Sequence, residues 1–261
     1  MPTISPRLVY EEVKSNEILA EALSLLERDL EVQNYLRMAN VMAVERLGYN
    51  DHGVVHSRIV SGSALLMADI LSKRGVEFSS VKNRIGDLTD ARLIILMGAY
   101  LHDIGNSVHR VMHNLHGCLI ADRILRRILP KIYDNIIKIV TIKQEILHCI
   151  FSHDESIMPL SLEAGVVKVA DGTDMAEGRA RIPFKRGKVD IHSLSALAIK
   201  KVLVEEGVER PIRIVVDMEN EAGVFQVEKV LGEKIRSSTI APYVEVTVLR
   251  RGLELKRMIE W

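Results

Sequence analysis

Six side chains in the 261-residue chain have the types and spacing to hold a metal ion: His56, the adjacent His102 and Asp103, His116, His153 and Asp171. Imidazole nitrogen and carboxylate oxygen together suit a catalytic divalent cation, the nitrogens fixing the ion and the oxygens leaving room for water. His102 and Asp103 stand where the strongly apolar run from Leu93 to Leu101 meets Ile104-Gly105. Adjacent side chains on a helix point about 100° apart, yet both reach one ion lying beyond the helix end. Asp171 closes the run Val166 to Ala170, so a carboxylate follows a core-facing stretch. Burying either acid without a cation or hydrogen-bond donors is costly. The remaining acids and histidines read more plainly. His148 lies five residues before His153, off its helical face, and takes a core or supporting role. His52, His109 and His113 fall in or beside loops and read as solvated, as do Glu155 and Glu163. Asp174, one turn after Asp171, either orients a ligand or caps local backbone.

The elements that must position these groups are helices. Ile18, Leu19, Ala22, Leu25 and Leu26 recur at helical spacing, and Leu36, Val41, Met42 and Val44 continue a second pattern. Asn50-Asp51-His52-Gly53 interrupts it as a loop. A third helix is predicted over 54–72, with Ile59, Ser63, Leu66 and Ile70 on one face, ending at Lys73-Arg74-Gly75. Thr89 or Asp90 caps the next, from Ala91 to about His102. Further helices fit 116–129, 132–151 and 161–176, with breaks at Pro130 and Pro159. The pattern changes after Gly178. Arg179, Arg181, Lys185, Arg186 and Lys188 form a basic loop, followed by a helix at 192–205 and a β-rich run over 212–218. An amphipathic helix through Val224, Val227, Val230, Leu231 and Ile235 precedes an alternating, half-buried strand at 243–249. The fold expected is mainly α: a helical domain over 1–188, then a small α+β domain over 189–261.

Composition narrows the function. The chain is 48% hydrophobic and 27% charged, as soluble globular proteins are. No apolar run approaches the ~18 residues of a membrane span, and the N-terminus lacks a signal-peptide core. Cys118 and Cys149 are too far apart for a CxxC motif and read as reduced, so a cytoplasmic protein is expected. Lys/Arg and Asp/Glu balance at 35 each, but residues 1–178 hold 19 against 23 and the rest 16 against 12. That is a mild lean toward anions in the second half, not a nucleic-acid footprint. With 4% aromatic residues no base-stacking platform is visible.

His56-Ser-Arg-Ile-Val, Leu101-His-Asp-Ile-Gly and Val169-Ala-Asp171, taken in order, resemble the H…HD…D signature of the HD superfamily of metal-dependent phosphohydrolases. His116 and His153 are similar to the additional histidines of its binuclear members. The nearest pattern is that of the ribonuclease Y catalytic region and its C-terminal extension, although Asn106 stands where lysine is common and no KH-type RNA-binding domain is present. The Gly-Tyr-Pro motif of related cyclic-dinucleotide phosphodiesterases is missing. The resemblance implies an all-helical HD-type domain with ligands gathered at its centre. It implies one ion held by His56, His102, Asp103 and Asp171, and a second bridged by Asp103 and held by His116 and His153. One or two divalent ions are expected, with Mn, Ni, Co, Fe, Mg and Zn not distinguished. A metal-activated water attacks a phosphoester of a nucleotide, cyclic nucleotide or short RNA, with Asp103 catalytic and Arg179 or Arg181 binding the phosphoryl oxygens. The alternatives are a non-catalytic nucleotide-binding HD protein and a di-iron HD oxygenase. Expected partners are a phosphorylated small molecule or nucleotide, RNA as a rival, no membrane, and a second copy pairing through the C-terminal unit.

Overall fold

The computed structural model describes residues 3–175 and 191–261, with side chains from 195 onward in the second stretch. Arg179 and Arg181, and the basic loop they belong to, lie outside the described residues. Helices come first: α1 (Leu8–Val13), α2 (Glu17–Arg28), α3 (Leu30–Asn40), α4 (Val54–Lys73), the short α5 (Ser79–Lys82), α6 (Leu88–Leu101), α7 (His113–Ile128), α8 (Ile136–Ser152) and α9 (Leu162–Thr173). After them come α10 (Ile191–Ala198), β1 (Ile199–Glu206), β2 (Ile212–Met218), α11 (Gly232–Arg236), β3 (Val244–Arg250) and β4 (Leu253–Met258).

The central element is α6, apolar on every side and packed by α2, α4, α8 and α9. A helix apolar all round belongs inside a bundle. Its start differs from expectation. Asp87, not Thr89 or Asp90, is the N-cap, and Asp90 completes a capping box by accepting from the Asp87 backbone N–H. Gly98 lets α8 come close, since a Cβ there would lie 2.6 Å from Cys149 Cβ. Helix α4 is also buried on most of its circumference. His56, Val60, Ala64, Met67 and Leu71 are buried, whereas the expected facing residues Ile59 and Leu66 are only partly so. The reason is that α4 has neighbours on several sides: α1, α6, α9 and the sheet. By length and composition alone α4 could cross a membrane, but most of it is buried inside this fold, as the core helix of a bundle is.

The C-terminal unit is a four-stranded sheet in the order β1-β2-β3-β4, with β2 and β3 parallel and both outer pairs antiparallel. The segment expected as one helix over 192–205 instead changes at Ile199 into β1, where Ile199, Val202 and Val204 are buried. Residues Gln226–Leu231 form a π-helical turn that runs into α11, and this crossover joins the parallel pair. Strand β3 is covered on both faces rather than half-buried. Glu245, fully buried, accepts backbone N–H bonds from Val208, Glu209 and Arg210 and so closes the β1–β2 turn. Sheet and helices share one apolar core, and Arg74 on the α4 cap donates to the Gly207 carbonyl.

Candidate metal centre

The helices bring His56 (α4), His102 and Asp103 (end of α6), His153 (end of α8) and Asp171 (α9) to one point. They also bring His52, from the loop before α4, and His113, the first residue of α7. The last two were read from sequence as solvated; both are buried, and only His109 among the three loop histidines is exposed. Asn40 explains His52: its side chain accepts from the His52 backbone N–H and folds the loop inward. His116 is half-buried on α7 and, like His113, is outside the three tightest groups of converging residues; its Nδ1 is buried without a hydrogen-bond partner. Gly105 explains why α7 presents His113. A Cβ at Gly105 would lie 1.8 Å from the His113 carbonyl oxygen and 2.4 Å from Gly117 N, so the turn after Asp103 sits directly on α7.

The imidazoles fall into two facing pairs. His56 Nε2 is 3.1 Å from His102 Nε2, and His113 Nε2 is 3.0 Å from His153 Nε2. Each of the four has its Nδ1 on an acceptor. His56 donates to Asp174 Oδ2 at 2.6 Å, His102 to the Ala99 carbonyl at 2.7 Å, His113 to the Arg110 carbonyl at 3.1 Å and His153 to the Ile150 carbonyl at 2.6 Å. A carbonyl only accepts, so the proton of neutral His102, His113 and His153 sits on Nδ1 and the lone pair on Nε2. Lone pairs aimed at one another repel unless a proton or a metal ion lies between them. This is the tautomer and orientation of metal-binding histidine, with the outer nitrogen fixed by a carbonyl or carboxylate.

Asp103 lies between the pairs. Its Oδ2 is 3.5 Å from His56 Nε2 and 3.4 Å from His102 Nε2, and its Oδ1 is 3.5 Å from His113 Nε2 and 3.7 Å from His153 Nε2. It also accepts from His52 Nδ1 at 2.8 Å and Asn106 Nδ2 at 2.7 Å. Asp171 Oδ1 is 3.2 Å from His56 Nε2 and 3.7 Å from His102 Nε2, while its Oδ2 is 2.8 Å from Lys234 Nζ. Asp174 therefore takes the orienting role that its spacing left open. Glu163, expected to be solvated, is fully buried and accepts from Ser80 N at 2.8 Å. His148 accepts from the Leu160 backbone N–H, a supporting role outside the centre.

The electrostatics point the same way. Burial pushes both carboxyls up, but His52 and His102 beside Asp103, and Lys234 and His102 beside Asp171, hold them well below the usual carboxylate range. Burial works against a charge on His102, yet Asp103 and Asp171 raise it to about 10. Burial and the neighbouring His153 push His113 down to about 3. The cluster thus keeps its acids ionised and demands positive charge between them. Imidazole nitrogens oriented through Nδ1 and ionised carboxylate oxygens make a donor set that fits divalent metal, whose charge would replace the proton on His102.

Such a centre on a helical scaffold defines an HD-domain protein. Residues 54–176 match the HD domain family, and the chain carries this domain, which binds divalent metals and characterises the superfamily of metal-dependent phosphohydrolases. It belongs to one family with "Uncharacterized protein MJ1020" of Methanocaldococcus jannaschii, to which it is 48% identical over 241 residues, 92% of this chain and 88% of that relative. No solved structure matches it.

Lys234, His52, His113 and Asn106 are the site residues that sequence reasoning missed. The i, i+4 pair His113 and Gly117 was a usable signal, because a glycine on one helix face marks close approach of another backbone.

Proposed function

We propose that the protein is a phosphoester hydrolase acting on a nucleotide, cyclic nucleotide or short RNA. The observation that carries this reading is the pair of facing Nε2 contacts with Asp103 between them. His56, His102 and Asp171 would hold one ion and His113 and His153 another, with an oxygen of Asp103 for each; His113 stands in the role that the resemblance gave to His116. Divalent ions there would polarise the phosphoryl group and make water acidic enough to act as nucleophile near neutral pH. The residues do the rest. The Nδ1 acceptors fix the imidazoles, Asp103 and Asp171 supply the balancing charge, and His52 and Asn106 hold Asp103 in place. Arg110 Nη1, 3.8 Å from Asp103 Oδ1 and partly exposed, is a cation at the rim for phosphoryl oxygens, beside the role expected of Arg179 and Arg181. No serine or cysteine nucleophile is required.

The test is a panel of nucleotides, cyclic dinucleotides and short RNAs incubated with Mn²⁺, Ni²⁺, Co²⁺ or Mg²⁺, read as phosphate or nucleotide release. Metal-dependent turnover of one class is expected. Tight nucleotide binding without turnover would favour a non-catalytic binding protein instead. Iron with oxygen consumption and no phosphate release would favour a di-iron oxygenase.

A further inference from the structure

Lys234 lies outside the HD-matching residues, on α11 of the C-terminal crossover, yet its Nζ is 2.8 Å from Asp171 Oδ2 and 3.4 Å from the His153 carbonyl oxygen. Its side chain is only 9% exposed. Two features bring it there. Gly172 follows Asp171, and a Cβ at that position would lie 3.1 Å from Lys234 Cδ and 3.2 Å from Leu231 Cδ1, so glycine lets the crossover rest on α9. The π-helical turn Gln226–Leu231 immediately precedes α11, and Gln226 Nε2 donates to Ser195 Oγ at 2.9 Å. Isolated π turns are rare and recur at functional sites.

We propose that Lys234 is a positioning residue of the metal centre: by occupying Asp171 Oδ2 it leaves Oδ1, the oxygen facing His56 and His102, as the one this carboxylate offers to an ion. This rests on the metal-centre reading above. A buried ammonium needs an anionic partner, and a carboxylate bonded through one oxygen to an ammonium binds a cation through the other. Without Lys234 the second Asp171 oxygen loses its partner and becomes available to an ion, and the opposing positive charge is gone. Metal then binds more tightly but in an altered ligand arrangement. The C-terminal unit is, on this account, part of the catalytic centre rather than an appendage.

The experiment uses the full-length protein and its Lys234→Met, Lys234→Gln and Lys234→Arg variants, with Mn²⁺ binding followed by electron paramagnetic resonance of the free aqueous ion. Lys234→Met is expected to bind Mn²⁺ roughly three- to tenfold more tightly, opposite in sign to the roughly 10- to 100-fold loss that follows removal of a partner supporting a metal ligand. Lys234→Gln should move the same way by less, and Lys234→Arg should return toward wild type. With bis(p-nitrophenyl) phosphate as probe, kcat of Lys234→Met should fall by roughly tenfold or more with KM little changed. Mn²⁺ affinity that is unchanged or weaker in Lys234→Met overturns the proposal. If that variant does not fold, Lys234→Gln decides by the same criterion. Wild-type protein that binds no Mn²⁺ removes the metal-centre reading and this role with it. Wild type that binds, with Lys234→Met identical to it, removes the role of Lys234 alone.

Discussion

Asp103 accepts hydrogen bonds from His52 and Asn106 and lies within 3.8 Å of nitrogens from both imidazole pairs. Replacing it with alanine removes an oxygen for each ion and leaves mutually repelling lone pairs. Metal content of purified Asp103→Ala, measured by mass spectrometry, should fall to background, with hydrolysis down at least about 100-fold. Asp174 acts one bond further out, through His56 Nδ1. Asp174→Ala should keep the fold and weaken metal binding roughly 10- to 100-fold by calorimetric titration. Metal affinity equal to wild type in that variant would show that His56 needs no carboxylate behind it. At this scale the sequence was informative where chemistry and local context agreed. A His-Asp pair at the end of an apolar helix, and an acid closing another apolar run, are legible because burial of such groups demands a reason. His113 was not legible beside His116, since residues three apart share one helix face and spacing alone does not say which of the two imidazoles meets His153. His52 was misread because its inward turn depends on Asn40, twelve residues away.

Element geometry turns on a few contacts at helix ends. Gly105 is the clearest: with the His113 carbonyl 1.8 Å from an added Cβ, backbone must move. Gly105→Ala should cost about 1–3 kcal/mol in chemical denaturation through overpacking and weaken binding of one ion more than the other, because His113 moves with α7. Equal stability to wild type would contradict the packing described. Asp90 governs the start of α6, accepting from Tyr133 Oη at 2.6 Å, Lys138 Nζ at 2.8 Å and Asp87 N at 2.9 Å. Burial raises its pKa, but Lys138, Tyr133 and the Asp87 N–H together hold it below the ordinary 3.8. A folded-state pKa below the unfolded one stabilises fully above about pH 4, and that stabilisation is lost as pH falls through the folded value. Asp90→Asn should therefore be about 2 kcal/mol less stable than wild type at neutral pH, with the gap narrowing below pH 4 in denaturant titrations. Helices α2, α7 and α8 and strand β2 were legible from periodicity. Strand β1 was not, because Ala196, Ala198 and Ile199 extend a helical pattern into a segment whose structure is decided by pairing with β2.

The change of pattern suggested two domains meeting at 188/189, and the helices and the sheet meet across one apolar core. Periodicity reveals how each segment is built, not which faces meet. One apolar core contains Val9 and Leu26 from the first helices, Leu96 from α6, Val167 from α9, and Val204, Val216 and Val246 from the sheet. The junction is fitted at backbone level. A Cβ on Gly165 would lie 2.1 Å from Thr239 Oγ1, which donates to the Ser161 carbonyl, and Thr3 bridges to Leu203 in β1. Removing the C-terminal unit would expose apolar faces of α4 and α9 and take Lys234 from the centre. The chain is therefore expected to unfold in one cooperative transition, with far-ultraviolet and near-ultraviolet circular dichroism coincident. A chain ending at residue 188 should fail to give that transition or to bind metal. An ion held by the folded cluster and not by the unfolded chain stabilises the fold, so Mn²⁺ at about 100 times its Kd should add about 2.7 kcal/mol and raise the single Tm by roughly 5–10 °C. Two transitions in calorimetry, with Mn²⁺ moving only one, would instead establish the sheet as an independent domain.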